Sequence, residues 1–514
     1  MKIQSLLPLS VRLAFGLMLL ALFHFRTSAF AQGPLTPPGP PAPTMKSLDQ
    51  IEPRTDINKL TGDATAVYVI PGPGSYYLSD DLNGAAGKDT IRIPTSSGRI
   101  TIDLNGFALT TTGADRSAIL TSSATDAVLI RNGMIICTGG TITKAVGGGG
   151  NRVMCDGLVV LGNVGTTVLA LGDDSTVTGC RLTEGGISGG RRSAVRETRL
   201  QGANEFSVTL GDDSQIVAVQ YAAGRGQLAV GNRGLIADCQ VNVTTGPPSI
   251  FVNGVVVQTG AGAIVRNSTI TGGSTVGNAM SVGANSLISG CRITTVFRDG
   301  IAASLTDNVT VESCVVQGNG RDGIILGANA RVRDCSVTGS GTEGITVGEN
   351  SIVTGCTVAG CAGTGIISSG ENVEVSHCAI KGTTGPAGIS LFSGSIADCN
   401  VTGTTSGPGI LVNQRSLVLR NRSEGNGITG NLQPGLRVIG PNNRVENNQL
   451  VNNTSFGLDI VGAAAVGNLV TGNHLRGNNG GGAQLASIAG NAIGTTVSTA
   501  NIATDTHPSA NYVP

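Results

Sequence analysis

The chain has 514 residues, with 78 glycines, no tryptophan, 3% aromatic and 13% charged side chains, and Lys+Arg 33 matched by Asp+Glu 33. That balance argues against a charge-driven nucleic-acid partner. The Val and Ile content argues against wholesale disorder, and the few aromatics leave little surface for stacking on neutral sugar rings.

Read from the start, residues 1–31 have the form of a signal peptide: Lys2 and Arg12, an apolar core from Leu13 to Phe23, then the small-x-small site Ala29-Phe30-Ala31. Cleavage near Ala31 would export the chain to the periplasm or the exterior, and no later segment has the length and apolarity of a membrane helix. Residues 32–60 read as a proline-rich linker (PLTPPGPPAP, 34–43) and a short cap segment, with a brief helix expected at Met45–Glu52. Residues 61–140 read as an N-terminal capping region with the first coils, 141–480 as the repeat core, and 481–514 as a C-terminal cap and tail.

One phrase recurs through the core: a turn Asn, two residues, Val or Ile, two residues, Cys, one residue, Val or Ile. Val311/Cys314/Val316, Val332/Cys335/Val337 and Val353/Cys356/Val358 are copies, and a Gly-Ile pair lies between successive copies, as at Gly323, Gly344 and Gly365. The apolar runs are short and alternating, which is strand periodicity. A repeat near 22 residues with such runs predicts an all-β, single-stranded parallel β-helix, each coil stacked on the last.

A position fixed within the coil becomes a column down the stack. Cys291, Cys314, Cys335, Cys356, Cys378 and Cys399 form one such column, continued by Asn421, Asn448 and Asn473 and preceded by Ser268. The substitutions point to a packing slot for small or hydrogen-bonding side chains. In-register cysteines point the same way, which argues against a tetrahedral metal site, and no metal site is expected. Coil spacing of roughly 4.8 Å exceeds the Cβ separation of about 3.5–4.5 Å that a disulfide needs. The short Cys356–Cys361 loop leaves a pairing open there. A second column, Asn285, Asn308, Asn329, Asn350 and Asn372, reads as turn asparagines that tolerate left-handed backbone and bond between coils.

The best candidate for chemistry is a third column. Asp299, Asp322 and Glu343 each precede the Gly-Ile strand, with Arg298 and Arg321 beside the first two. Stacked carboxyls raise one another's pKa, giving candidate acid/base residues, and the arginines are candidate substrate-binding groups for an anionic sugar. Solvated turn acids are the plainer reading of the same residues. A second basic cluster, Arg191, Arg192, Arg196 and Arg199, is a candidate anion patch. His377 and His474 lack acid partners in sequence.

These coils resemble those of secreted bacterial right-handed parallel β-helix repeat proteins of the pectin-lyase-like superfamily. PPGPPAPTMKSLDQIEPRT (37–55), PGSYYLSDDLNG (73–84) and ITIDLNGFALT (100–110) resemble a group of these of largely unknown function, as does the ending HPSANY, with His and Ser where Asn and Trp are more usual. The resemblance implies right-handed coils and export. Two functions follow as expectations: a non-catalytic scaffold or surface and carbohydrate-interaction protein, and, as the alternative, a lyase or epimerase of a uronate-containing polysaccharide. The expected partner is an extracellular or cell-surface polysaccharide. No cofactor is expected, Ca2+ entering only under the lyase alternative.

Overall fold

The computed structural model describes residues 54–95, 98–111, 116–124, 127–137, 144–162, 167–243, 255–272, 277–296, 298–478, 484–498 and 507–513. The expected signal peptide, proline-rich spacer and helix at 45–52 lie outside the described residues. Those residues hold no α-helix, only a 3-10 turn at Ile57–Lys59 whose N-cap Asp56 accepts from Asn58 N.

The repeat pattern becomes three parallel ladders. In the first, Val332, Val353 and Val375 are in register on successive coils. In the second, Val337, Val358 and Ile380 are in register, and in the third, Ile324, Ile345 and Ile366. The inward positions of these short strands are buried apolar residues, stacked into one continuous core. Burying each such side chain contributes about 1.5–3 kcal/mol. Ordering the backbone costs about 1–2 kcal/mol per residue, so a lone coil, with most of its apolar surface still wet, does not hold.

Three corners join the strands. Between the first and second ladders a residue in left-handed conformation, such as Gly355 (φ 66°) or Asp334 (φ 54°), turns the chain and presents the cysteine slot. Cys335 is 2% exposed, and its thiol donates to Arg333 O at 3.2 Å and lies 3.7 Å from Val311 O of the previous coil. Thr198, Val219 and Ser268 fill the slot in earlier coils and are equally buried. All eleven cysteines are buried and free. Cys361 belongs to a different column, at the corner between the second and third ladders, where it follows Gly360 (φ 61°) as Ser340 follows Gly339 (φ 64°). The short loop therefore separates Cys356 and Cys361 onto two corners.

The turn asparagines sit between the third and first ladders. Asn285, Asn308, Asn329, Asn350 and Asn372 all have φ between 55° and 60°, a region asparagine enters more readily than most side chains. The expected chain of amide bonds along this column is intermittent: Asn308 Nδ2 donates to Asn285 Oδ1 and Asn372 Nδ2 to Asn350 Oδ1, each at 3.2 Å. These amides are exposed, and water competes for them.

The continuous amide ladders lie in the interior, in the last coils. Asn421, Asn448, Asn473 and Asn511 extend the cysteine column, each Nδ2 donating to the next Oδ1 at 2.9–3.1 Å. Asn426, Asn453 and Asn478 do the same at the second corner, at 2.8 Å. Asn443, Asn468 and Asn491 do so at the third, at 2.9 Å. Asn511 reaches its place because Asn511–Tyr512 pairs with Thr496–Val497 and with His474, laying the closing segment over the last coil.

Candidate functional site

The acid column is fixed by the glycine that follows each acid. A Cβ at Gly300 would lie 2.5 Å from Gly323 O and from Val316 Cγ1, and one at Gly323 would lie 2.3 Å from Val337 Cγ1. Only glycine lets the corner close this tightly, so the residue before it is held at the coil edge in every repeat.

Asp299, Asp322 and Glu343 are consecutive rungs of that edge. Asp322 N donates to Asp299 Oδ1 at 3.3 Å, and Glu343 N donates to Asp322 Oδ1 at 3.2 Å. Asn278 Oδ1 accepts Asp299 N at 3.2 Å, so the pattern starts one coil earlier with a neutral amide. Thr342 Oγ1 also donates to Asp322 Oδ1. Asp299 and Asp322 are each only 5% exposed, whereas Glu343 is half-buried. Arg321 N bonds Arg298 O at 3.2 Å, placing the arginines one coil apart. The exposed Arg321 guanidinium stands 3.6 Å from Asp299 Oδ1.

Burial raises the pKa of Asp299; Arg321 opposes the shift and the Asp322 charge adds to it. Burial likewise raises Glu343, with the hydrogen bond and charge of Asp322 adding. The edge thus holds one reachable carboxyl with enhanced proton affinity beside arginines. The two closed aspartates hold coil to coil through their Oδ1 atoms.

These residues do not fit Ca2+. That ion takes about six to eight oxygens converging on one point. Here the two buried carboxylates turn an oxygen to a backbone amide, and the described residues contain no group of three or more His, Cys, Asp or Glu that could hold a metal. No step is derived through a metal.

Behind the edge runs the second-corner column. Asn319 is 2% exposed, yet neither amide atom has a partner among the described residues. Its neighbour one coil on is Ser340, too short to continue an amide ladder.

The basic cluster at 191–199 disperses. Arg192 Nε pairs with Asp174 Oδ1 at 2.6 Å, Arg191 lies 3.9 Å from Asp213, and Arg196 donates to Gln215 Oε1 at 2.7 Å. Only Arg199 points from the second ladder's outer face, in register with Arg181 and Gln220. Reading by cluster missed that face, but the signal was present: it is the position immediately after the cysteine slot. His377 lies exposed in a left-handed turn (φ 55°). The His474 ring lies 5.0 Å from that of Tyr512. Neither histidine belongs to the acid edge.

Three parallel ladders with columnar corners define a parallel β-helix. The family model described as the right handed beta helix region matches residues 226–351 and 327–497, together more than half of the chain, and the protein belongs to that family. Its structure is similar to that of the periplasmic alginate epimerase AlgG, at 10% identity over 76% of this chain and 74% of that one, with a TM-score of 0.24. It is also similar to the receptor-binding protein of bacteriophage Det7, a podoviral tailspike in a myovirus, at 10% identity over 79% and 76%, TM-score 0.27. A third similar structure is the Azotobacter vinelandii mannuronan C-5 epimerase AlgE4 A-module, at 13% identity over 82% and 88%, TM-score 0.18. These likenesses concern the fold. No curated protein matches the chain.

Proposed function

We propose that the protein is an exported carbohydrate-interacting β-helix that acts on a uronate-containing polysaccharide at the edge formed by Arg298, Arg321 and Glu343. The observation that carries this reading is the half-buried Glu343, its pKa raised, one coil from the exposed Arg321. An arginine paired with the uronate carboxylate offsets the charge that develops when the proton on the adjacent carbon is removed. Ionised Glu343, a better base for its raised pKa, accepts that proton. Return of a proton from solvent to the other face of the carbon gives the epimer. Departure of the neighbouring glycosidic oxygen with the C–O electron pair, taking a proton from solvent, gives an unsaturated end instead. The signal-peptide form of residues 1–31 supports export.

A second reading, a scaffold without catalysis, is favoured by the closure of Asp299 and Asp322. The Oδ1 of each accepts a backbone amide, which leaves one accessible carboxyl where acid/base chemistry commonly uses two. Incubation with alginate and pectate separates the readings. Ultraviolet absorbance reports unsaturated products, and proton NMR in deuterated water reports exchange at the epimerised carbon. Turnover abolished by Glu343→Gln supports the catalytic reading. No exchange and no absorbance with either polymer sinks it and leaves the scaffold.

A further inference from the structure

We infer that the outer face of the second ladder, over residues 181–292, is a binding platform for an anionic oligosaccharide, separate from the acid edge. The inference does not depend on catalysis at Glu343. Six outward side chains lie in register on successive coils: Arg181, Arg199, Gln220, Gln240, Thr269 and Arg292. All six are exposed. The row contains no acid, and none of its three arginines is ion-paired among the described residues. The parallel row two residues along the strands, from Thr183 through Asn242 to Thr294, also contains no acid. The acids closest in sequence, Glu184, Glu197 and Asp238, sit in the flanking corners.

The face is concave where the amides lie. Strands Arg199–Leu210 and Gln220–Val230 run on through the corner that most later coils close with a left-handed glycine, with a register shift between Gly202 and Glu205. On the ladder's own outer face, a groove of about 310 Å³ is lined by Arg199, Gln220, Gln240, Asn242, Thr269 and Thr271.

Chemistry selects the occupant. A primary amide both donates and accepts, so amides repeated at the coil step of roughly 4.8 Å suit hydroxyls repeated along a chain of sugar rings. Guanidinium forks at both ends of the row match carboxylates. With no tryptophan in the chain and, among the described residues, no ring on the face other than the buried Tyr221, hydrogen bonding and charge carry recognition in place of stacking. From Arg181 to Arg292 the row covers five coil steps, about 24 Å, enough for several sugar units.

The test is calorimetric titration of the Glu343→Gln protein, in which turnover cannot consume the probe, with oligogalacturonate, oligomannuronate and, as a neutral comparison, cellohexaose. The expected result is binding of at least one uronate oligomer, weakened by salt and weakened about tenfold or more by adding Arg199→Ala with Gln240→Ala. Both positions are exposed, so the fold should persist, and circular dichroism verifies it. The inference is overturned by any of four results: no binding of either uronate; unchanged affinity in the double substitution; loss of affinity only with Arg298→Ala and Arg321→Ala; or cellohexaose binding as tightly as the uronates. Absence of turnover by the parent protein, with this binding intact, would sink the catalytic proposal and leave the platform standing.

Discussion

Replacing Asn448 with alanine tests whether the interior amide columns hold the last coils together. Asn448 Nδ2 donates to Val418 O and to Asn473 Oδ1, both at 2.9 Å, and its Oδ1 accepts Asn421 N at 2.9 Å and Asn421 Nδ2 at 3.0 Å. The residue is fully buried. Four hydrogen bonds at a net ~1 kcal/mol each give about 4 kcal/mol. The stranded Val418 carbonyl and Asn421 amide add desolvation of about 1–3 kcal/mol each, so the loss should exceed about 5 kcal/mol. Solenoids unfold piecewise, so the assay pairs denaturant unfolding followed by circular dichroism with hydrogen exchange at the Asn421 amide. Asn308→Ala is the comparison, because its amide bond is exposed and single. The reasoning is refuted if Asn448→Ala costs no more than Asn308→Ala, or if the Asn421 amide exchanges at its parent rate.

Two further outcomes follow from the same columns. Cys335→Ser should cost less than about 1.5 kcal/mol in denaturant unfolding and leave any turnover intact. Ser268 already fills that slot, accepting Cys239 N at 3.2 Å and donating to Arg266 O at 2.9 Å. A loss of bound metal on that substitution would contradict the packing role. Asp299→Asn should change the pH dependence of stability. The folded-state pKa of Asp299 is raised by burial, so its favourable contribution is present below the ordinary carboxylate range and is lost as pH rises through the raised value. Relative to the parent, the variant should therefore gain at neutral pH and lose that advantage on acidification. The amide can still accept Asp322 N, as Asn278 accepts Asp299 N. A stability difference that stays constant across the titration would show that the buried charge does not matter.

The repeat made much of this molecule readable before any coordinates. Cys314, Cys335 and Cys356 are spaced by one coil, and a constant spacing of alternating apolar runs admits little besides a stacked parallel solenoid. The same ruler placed Asp322 one rung from Asp299 and Glu343 one rung further, and their backbone amides do meet the preceding carboxylates at 3.2–3.3 Å. Local sequence carried this information because a solenoid converts a position in the repeat into a position in space. Depth and direction were not carried. Nothing in the spelling of Arg298-Asp299-Gly300 said that the aspartate would be closed and its oxygen taken by a backbone amide, while Glu343 stayed reachable. Nor did the run of arginines at 191–199 reveal that Asp174 and Asp213 neutralise two of them and leave Arg199 to the outer face.

The chain by itself determined its periodicity, its parallel coils and the membership of each column, because these depend on spacing and side-chain size. Only the tertiary structure decided that the aspartates of the acid column are closed while Glu343 stays reachable. It also separated Cys356 from Cys361 onto different corners, brought Asn511 into place to finish the column of Asn473, and set a groove on the outer face of the second ladder. Those outcomes depend on how neighbouring coils close over one another, and the solvent exposure of a side chain is set by the coil above it as much as by its own.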